Sequence, residues 1–295
     1  MSIWLDAIRI RQWSKQLLIF LPIIALGQSI DTISLLNISL VALAFSLVAS
    51  TIYLYNDTQD IENDKLDLVR KNRPLASGKI SRQKVRIFMF FALAVSGIIL
   101  QFATNSNSRI QVASLIFIYF FMNILYSKFK LKRFKILGLI IVSIGFSIRF
   151  SVGTLILGLS FSTWAFVLII QLAMFMLSGK RFQTVMRNST SGRTHSDSNA
   201  DLQFWLLSMV TFGAFFAATY SGFITDNEVI GIWGKEELIL STLPLGIGLV
   251  RFVEIVMHPQ KYKLEDATDT MTRDLFLASS VLVYAIVMFI GRANA

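Results

Sequence analysis

The run LVALAFSLVASTIYLY, residues 40–55, passes without a break into NDTQDIEND, residues 56–64. The first part carries no charge, and a strongly basic segment from Lys65 to Arg86 follows the second. Within NDTQDIEND, Asp57, Asp60 and Asp64 recur at i, i+3 and i+7. On a helix this spacing gathers them on one face, within about a sixth of a turn. Crowded carboxylates repel one another unless a cation joins them. At a membrane edge the expected cation is a divalent metal, with a phosphate as its cargo. Mg²⁺ favours a few carboxylates completed by water and phosphate oxygens. Asp57, Asp60 and Asp64 are therefore the expected metal ligands and catalytic residues. Asn56 is expected to supply a neutral oxygen or to orient a ligand. The plainer alternative is a solvated acidic cap neutralised by Lys65, Arg70 and Arg73.

Working outward, apolar stretches long enough to cross a bilayer recur along the whole chain. Of its 295 residues, 54% are hydrophobic and 16% charged, which excludes an ordinary soluble protein. Nine spans are predicted, near 17–31, 35–56, 86–104, 109–127, 136–157, 162–179, 202–224, 238–257 and 275–291. No small-residue cleavage site follows the first, so no cleavable signal peptide is expected. No proline- or serine-rich linker interrupts the chain, and residues 1–295 read as a single polytopic membrane domain. With no cysteine and two histidines, thiolate and His-based zinc sites are not expected.

The charge distribution orients this arrangement. Nine spans place 24 of the 28 Lys and Arg residues on one side, with Arg109, Lys235 and Arg292 on the other and Arg149 inside a span. The positive-inside rule puts the N-terminus in the cytoplasm and the C-terminus outside, as in a bacterial-type inner or plasma membrane. A net charge of +10 distributed this way points to lipid and topology rather than nucleic acid. The unusual chemistry falls in the cytoplasmic loops, about 57–85 and 180–201, with a third acidic loop at 258–274. Four spans separate the first two loops, a spacing that suggests two related halves. Residues 225–237 read as a surface loop or interfacial helix.

Further candidates for phosphate recognition lie in these loops. Arg70-Lys71-Asn72-Arg73-Pro74 follows the aspartates, and Arg forks match phosphate oxygens in bidentate fashion. The segment from Tyr126 and Ser127 to Lys132 and Arg133 closes the fourth span in a basic patch at headgroup depth. Gly179-Lys180-Arg181 ends the sixth span. Asp197 and Asp201 have spacing for a second metal site, although loop acidity explains them as well. Arg149, in mid-span, requires a partner such as a substrate phosphate or a helix C-terminus.

These residues resemble the UbiA-type prenyltransferase superfamily, and within it the phosphoribosyltransferase branch acting on decaprenyl phosphate. The superfamily motif Asn-Asp-x-x-Asp-x-x-x-Asp is matched at Asn56, Asp57, Asp60 and Asp64. Arg11-Gln12-Trp13-Ser14-Lys15, Arg73-Pro74-Leu75-Ala76-Ser77-Gly78, Tyr126-Ser127, Leu131-Lys132, Gly145-Phe146 with Arg149, and Gly179-Lys180-Arg181 match the branch. The chain departs from it at Asp67-Leu68, where His-Pro is usual, at Gly138 and Thr184, where acids are usual, and at Gln16, where Asn is usual.

The resemblance implies an all-α integral membrane fold of nine transmembrane helices around a cytoplasm-facing, Asp-rich cavity. It implies Mg²⁺ as cofactor, with polyprenyl phosphate and phosphoribosyl pyrophosphate as small-molecule partners. Asp57, Asp60 and Asp64 would hold the metal, and Lys15, Asn56, Arg70, Arg73, Tyr126, Lys132, Lys180 and Arg181 would bind substrate. Homo-oligomers are compatible with this expectation. An aromatic prenyltransferase using a polyprenyl diphosphate is the alternative, commonly marked by a second Asp-rich motif where this chain has Lys180-Arg181. A transporter or lipid-binding protein would place its polar groups nearer mid-membrane.

Overall fold

The computed structural model of the chain describes residues 3–26, 30–67, 70–129, 131, 134–159, 162–190, 198–262 and 274–294. Every regular element among them is helical. The chain divides into two compact units, Met1–Pro22 with Ile30–Phe161, and Ile23–Ser29 with Ser162–Ala295. Each unit contains four long helices, in keeping with the spacing of the two charged loops.

The first unit begins with α1 (Ile3–Ala7), a 3-10 stretch (Ile10–Gln16) and α2 (Leu17–Phe20). It continues through α3 (Thr32–Gln59), α4 (Ile61–Leu66), α5 (Arg82–Ala103), α6 (Ser106–Lys128) and α7 (Lys135–Ile156). Helix α3 starts where the Asp31 carboxylate accepts the Ser34 N–H at 2.9 Å, satisfying an otherwise orphaned donor. Its uninterrupted apolar sequence has neither Gly nor Pro, so nothing breaks the helical ladder before Gln59. The Ser46 and Thr51 hydroxyls donate to the carbonyls of Ala42 and Val48 on their own helix, which satisfies polar groups away from water. Val41, Phe45, Val48, Ile52 and Leu54 are buried, and α5, α6 and α7 all pack on α3.

Among its described residues, the expected span at 17–31 is not one long α-helix. Leu17–Phe20 is a single α-turn and Leu21–Leu26 is 3-10, with residues 27–29 outside the described set. Pro22 lacks the N–H that a continuing α-helix needs. Among the described residues eight helices, rather than nine, are long and apolar enough to cross a membrane. Helix α2 lies against α7, where a Cβ at Gly153 would stand 1.9 Å from the Ile19 carbonyl oxygen.

A second contact positions the loop between α4 and α5. Ala7, Leu54, Ile61, Leu75, Ile80 and Val85 form one buried cluster, flanked by Trp4, Ile8, Phe88 and Met89. It joins α1, the end of α3, α4, the loop at 74–80 and the start of α5. That loop is folded back on itself by Ser77 N–H to Arg73 O at 2.9 Å and Ile80 N–H to Pro74 O at 3.1 Å.

The second unit comprises α8 (Thr163–Thr190), α9 (Ser198–Thr225), α10 (Asn227–Trp233), α11 (Lys235–Met257) and α12 (Leu275–Asn294). Helix α8 packs on α9, and α11 on α12. The 225–237 segment forms the helix α10, and its Val229 joins Tyr220, Phe223, Leu238 and Met288 in a buried cluster. Gly234, at φ 78°, makes the left-handed joint between α10 and α11. Glu265, Asp266, Asp269, Arg273 and Asp197 lie outside the described residues.

Asp274 opens α12 by accepting the Leu277 N–H at 2.9 Å, and Arg251 Nη2 donates to it at 2.6 Å. The Arg251 hydrogen bond, aided by the Leu277 N–H, holds the Asp274 carboxyl below its ordinary value. A depressed folded-state pKa means this contribution is full above the unfolded carboxyl pKa and fades as pH falls through the folded one. Asp274→Asn is expected to cost about 1 kcal/mol at pH 7. The difference from wild type should shrink below about pH 4 in thermal unfolding followed against pH.

Candidate active site

The bend that matters follows Gln59. Helix α3 ends there, Asp60 adopts φ −98° and ψ 7°, and α4 starts at Ile61. The three aspartates therefore span two helices and a joint, rather than one straight helical face. Asp57 and Asp64 are nevertheless brought together, because Arg73 Nη1 donates to Asp57 Oδ1 at 3.0 Å and to Asp64 Oδ2 at 2.8 Å. Both carboxylates are buried, with side chains 4% and 2% exposed. Asp60 is half-buried and does not share this guanidinium link; its N–H donates to Asn56 O and its carbonyl accepts from Asp64 N–H.

Arg9 completes the cluster. Its Nη2 donates to Asp57 Oδ1 at 2.5 Å, and its guanidinium lies 5.0 Å from the Tyr53 ring centroid. The residue has φ 54° and ψ 53°, and is the one positive-φ non-glycine among the described residues. A cleft of about 440 Å³ opens beside these groups, lined by Ile3, Asp6, Arg9, Asp57, Asn72, Arg73, Pro74 and Lys79. Arg9 and Arg73 thus meet the buried Asp57 carboxylate at its wall, with Lys79 and Asp6 on the same lining.

The residues fit a divalent cation on one specific ground. Asp64 Oδ1 is buried and has no hydrogen-bond partner, although the other oxygen is held by Arg73. A buried carboxylate oxygen left bare is costly unless a cation or water meets it. Among the described residues, no three acidic or imidazole groups are gathered so as to hold a metal unaided. The present cations on Asp57 and Asp64 are guanidiniums.

The other expected site residues divide by location. Asn56 is tied to α6 by a short hydrogen bond from the Ser127 hydroxyl to its side-chain oxygen. Tyr126 lies beside α7, where a Cβ at Gly138 would stand 3.5 Å from its hydroxyl. Arg70 turns away from the aspartates: Asp67 accepts its backbone N–H at 2.8 Å and lies 4.0 Å from its guanidinium. Lys15 is half-buried at the end of the 3-10 stretch. Lys132 lies outside the described residues, and Lys180 and Arg181 belong to α8 of the second unit.

Two positions explain how the N-terminal stretch reaches the site. Trp13 Nε1 donates to the Ser50 hydroxyl at 3.1 Å, pinning the stretch to α3. Gln16 Oε1 accepts from Arg149 Nε at 2.6 Å. Arg149 is 3% exposed and also donates to Gly145 O at 2.5 Å and Tyr119 OH at 2.8 Å. Its partner is therefore the protein itself, and the rings of Phe45 and Tyr119, with centroids 4.9 and 4.8 Å from the guanidinium, add to its hold. Sequence patterning gives Arg9 and Lys79 no role in the site beyond topology. Forty-eight residues separate Arg9 from Asp57, and no local periodicity connects them.

With this geometry in hand, comparison with known proteins settles the family. The model of the UbiA prenyltransferase family matches residues 17–188, more than half of the chain. The chain belongs to that family. Decaprenyl-phosphate phosphoribosyltransferase of Mycolicibacterium smegmatis is 30% identical over 192 residues, 64% of this chain and 58% of that one. An uncharacterised protein of Sinorhizobium fredii is 32% identical over 185 residues, 62% of this chain and 34% of that one. The matched region thus spans between about a third and three fifths of these relatives' lengths. A UbiA homologue from Archaeoglobus fulgidus, solved bound to DMAPP and Mg²⁺, shares the fold with a TM-score of 0.68 at 17% identity. That comparison covers 99% of this chain and 98% of the other. The eight apolar helices and the family together make this UbiA member an integral membrane protein.

Proposed function

We propose that this UbiA-family protein transfers a phosphoribosyl group from phosphoribosyl pyrophosphate to a polyprenyl phosphate and releases pyrophosphate. The observation carrying this reading is the cleft lined by Arg9, Arg73 and Lys79 together with Asp57 and Asp6. Its charged lining suits a fully phosphorylated donor, and the similarity to decaprenyl-phosphate phosphoribosyltransferases names the class. In this reading the N-terminus and the cleft face the cytoplasm, where soluble phosphorylated donors are found, and the lipid enters from the bilayer.

Asp57 and Asp64, with Asp60 at the joint between their helices, are the residues that would hold Mg²⁺. Bound there, the ion would supply positive charge to a departing diphosphate. Arg73, Arg9 and Lys79 share that charge from the cleft wall. A lipid phosphate oxygen attacks the anomeric carbon while the bond from that carbon to pyrophosphate breaks. The attacking phosphate is ionised at neutral pH, so the chain needs no histidine base. Asn56, fixed by Ser127, and Tyr126 position the acceptor end. The rate enhancement then comes from orientation and preorganised charge.

The second reading is prenyl transfer from a polyprenyl diphosphate. It draws on the digeranylgeranylglyceryl phosphate synthase of Methanococcus aeolicus, 42% identical over 88 residues, 30% of this chain and 28% of that one. One assay separates the two. Solubilised protein is incubated with Mg²⁺, polyprenyl phosphate and radiolabelled phosphoribosyl pyrophosphate, and label is expected in the organic phase. No transfer of label, alongside product from a prenyl diphosphate and hydroxybenzoate, overturns the phosphoribosyl reading. Asp60→Asn is expected to lower turnover at least about 100-fold with the protein still folded. Full activity in that variant removes Asp60 from the metal site.

A further inference from the structure

We propose that Arg9 exchanges partners during binding: it holds Asp57 while no divalent cation is present, and turns to the donor diphosphate once a cation takes that carboxylate. The inference rests on the reading of Asp57 and Asp64 as cation ligands, and adds to it a role for a residue 48 positions away. Two carboxylates, Asp57 and Asp64, are met by two guanidiniums, Arg9 and Arg73. Among these four side chains the charges cancel. Both guanidiniums converge on the same atom, Asp57 Oδ1, at 2.5 and 3.0 Å. A cation ligated by that oxygen would compete directly with them.

Two unit charges on each side leave a surplus of positive charge when a divalent ion enters. Displaced guanidiniums beside an open cleft then form an anion site, because Arg presents a fork suited to phosphate oxygens. Cation and diphosphate should therefore each strengthen the other's binding, and the coupling is reciprocal by thermodynamic necessity. The backbone supports a dedicated role for Arg9. Its left-handed conformation is uncommon for a long side chain, and such conformations cluster at ligand sites. The position is held from both sides, by the buried Ala7 in the α1 cluster and by Trp13 on Ser50.

The same conformation supplies well-behaved variants. Arg9→Gly and Arg9→Asn both tolerate positive φ, so the guanidinium can be removed without adding backbone strain. The full chain in detergent is titrated with Mn²⁺ alone, followed by the electron paramagnetic resonance signal of the free ion. It is separately titrated with inorganic pyrophosphate at saturating Mn²⁺, by calorimetry. Both variants are expected to bind Mn²⁺ about tenfold more tightly than wild type and pyrophosphate about tenfold more weakly, each being the loss of one charge-assisted contact. Opposite signs are the signature. Weaker or unchanged Mn²⁺ binding, or unchanged pyrophosphate binding, overturns the exchange while leaving the cation site standing. No Mn²⁺ binding by wild type or variants overturns both. Neither titration involves the phosphoribosyl donor, so failure of the transfer assay is a separate result.

Discussion

Arg73→Ala should lose about 3 kcal/mol of stability and at least about 100-fold in phosphoribosyl transfer. One nitrogen of Arg73 serves Asp57 and Asp64 together, and both carboxylates are almost fully buried. Removing the guanidinium leaves Asp64, which already has one oxygen without a partner, with no cation at all among the described contacts. Breaking a buried pair from one side strands the opposite charge, and this costs more than the pair itself contributes. The measurement is thermal unfolding in detergent beside the organic-phase assay. Adding Asp64→Asn to Arg73→Ala should recover much of the lost stability, since the stranded charge is gone. Activity should not return, because the same change removes a cation ligand. Recovery of both would show that Arg73 acts only as a structural counter-ion.

Gly153→Ala should be nearly as damaging, by about 3 kcal/mol, although it lies outside the charged cluster. The added methyl would meet the Ile19 carbonyl oxygen at 1.9 Å and the Pro22 ring at 3.2 Å. The first obstacle is backbone, which cannot rotate aside as a side chain can. Helix α2 would have to move off α7, and it directly follows Gln16, whose oxygen holds Arg149. The expected signature is a lowered melting temperature together with weakened pyrophosphate binding through Arg9. A variant that melts as wild type would mean that α2 finds another seat at little cost.

The membrane class of the fold was legible because bilayer thickness imposes a length and an apolarity on every crossing segment. Eight of the nine expected spans are long helices. At 17–31 the described residues show mixed α and 3-10 turns rather than one long α-helix, with Pro22 among them, whereas hydropathy registers only that Leu17 to Leu26 is continuous and apolar. Asp57, Asp64 and Arg73 were legible as a constellation because they are close in sequence and chemically unusual at a span's end. Arg70 looked equivalent to Arg73 by composition, but Asp67 takes it as a local partner. Arg149 was recognisable as a group needing a partner, yet nothing near it in sequence identifies Gln16, 133 residues away.

The amino-acid sequence by itself determined that this chain is helical, membrane-embedded and equipped with carboxylates and basic groups at span ends, because those properties are set by local composition and spacing. The tertiary structure alone decided how the NDTQDIEND stretch is used. It bends at Asp60, shares Arg73 between Asp57 and Asp64, and receives Arg9 from the N-terminal stretch. Ion pairs and close approaches of this kind depend on which distant segments pack together. Their physical cause is long-range burial, seated on Ala7, Leu54, Ile61 and Leu75, and no spacing rule within one helix contains it.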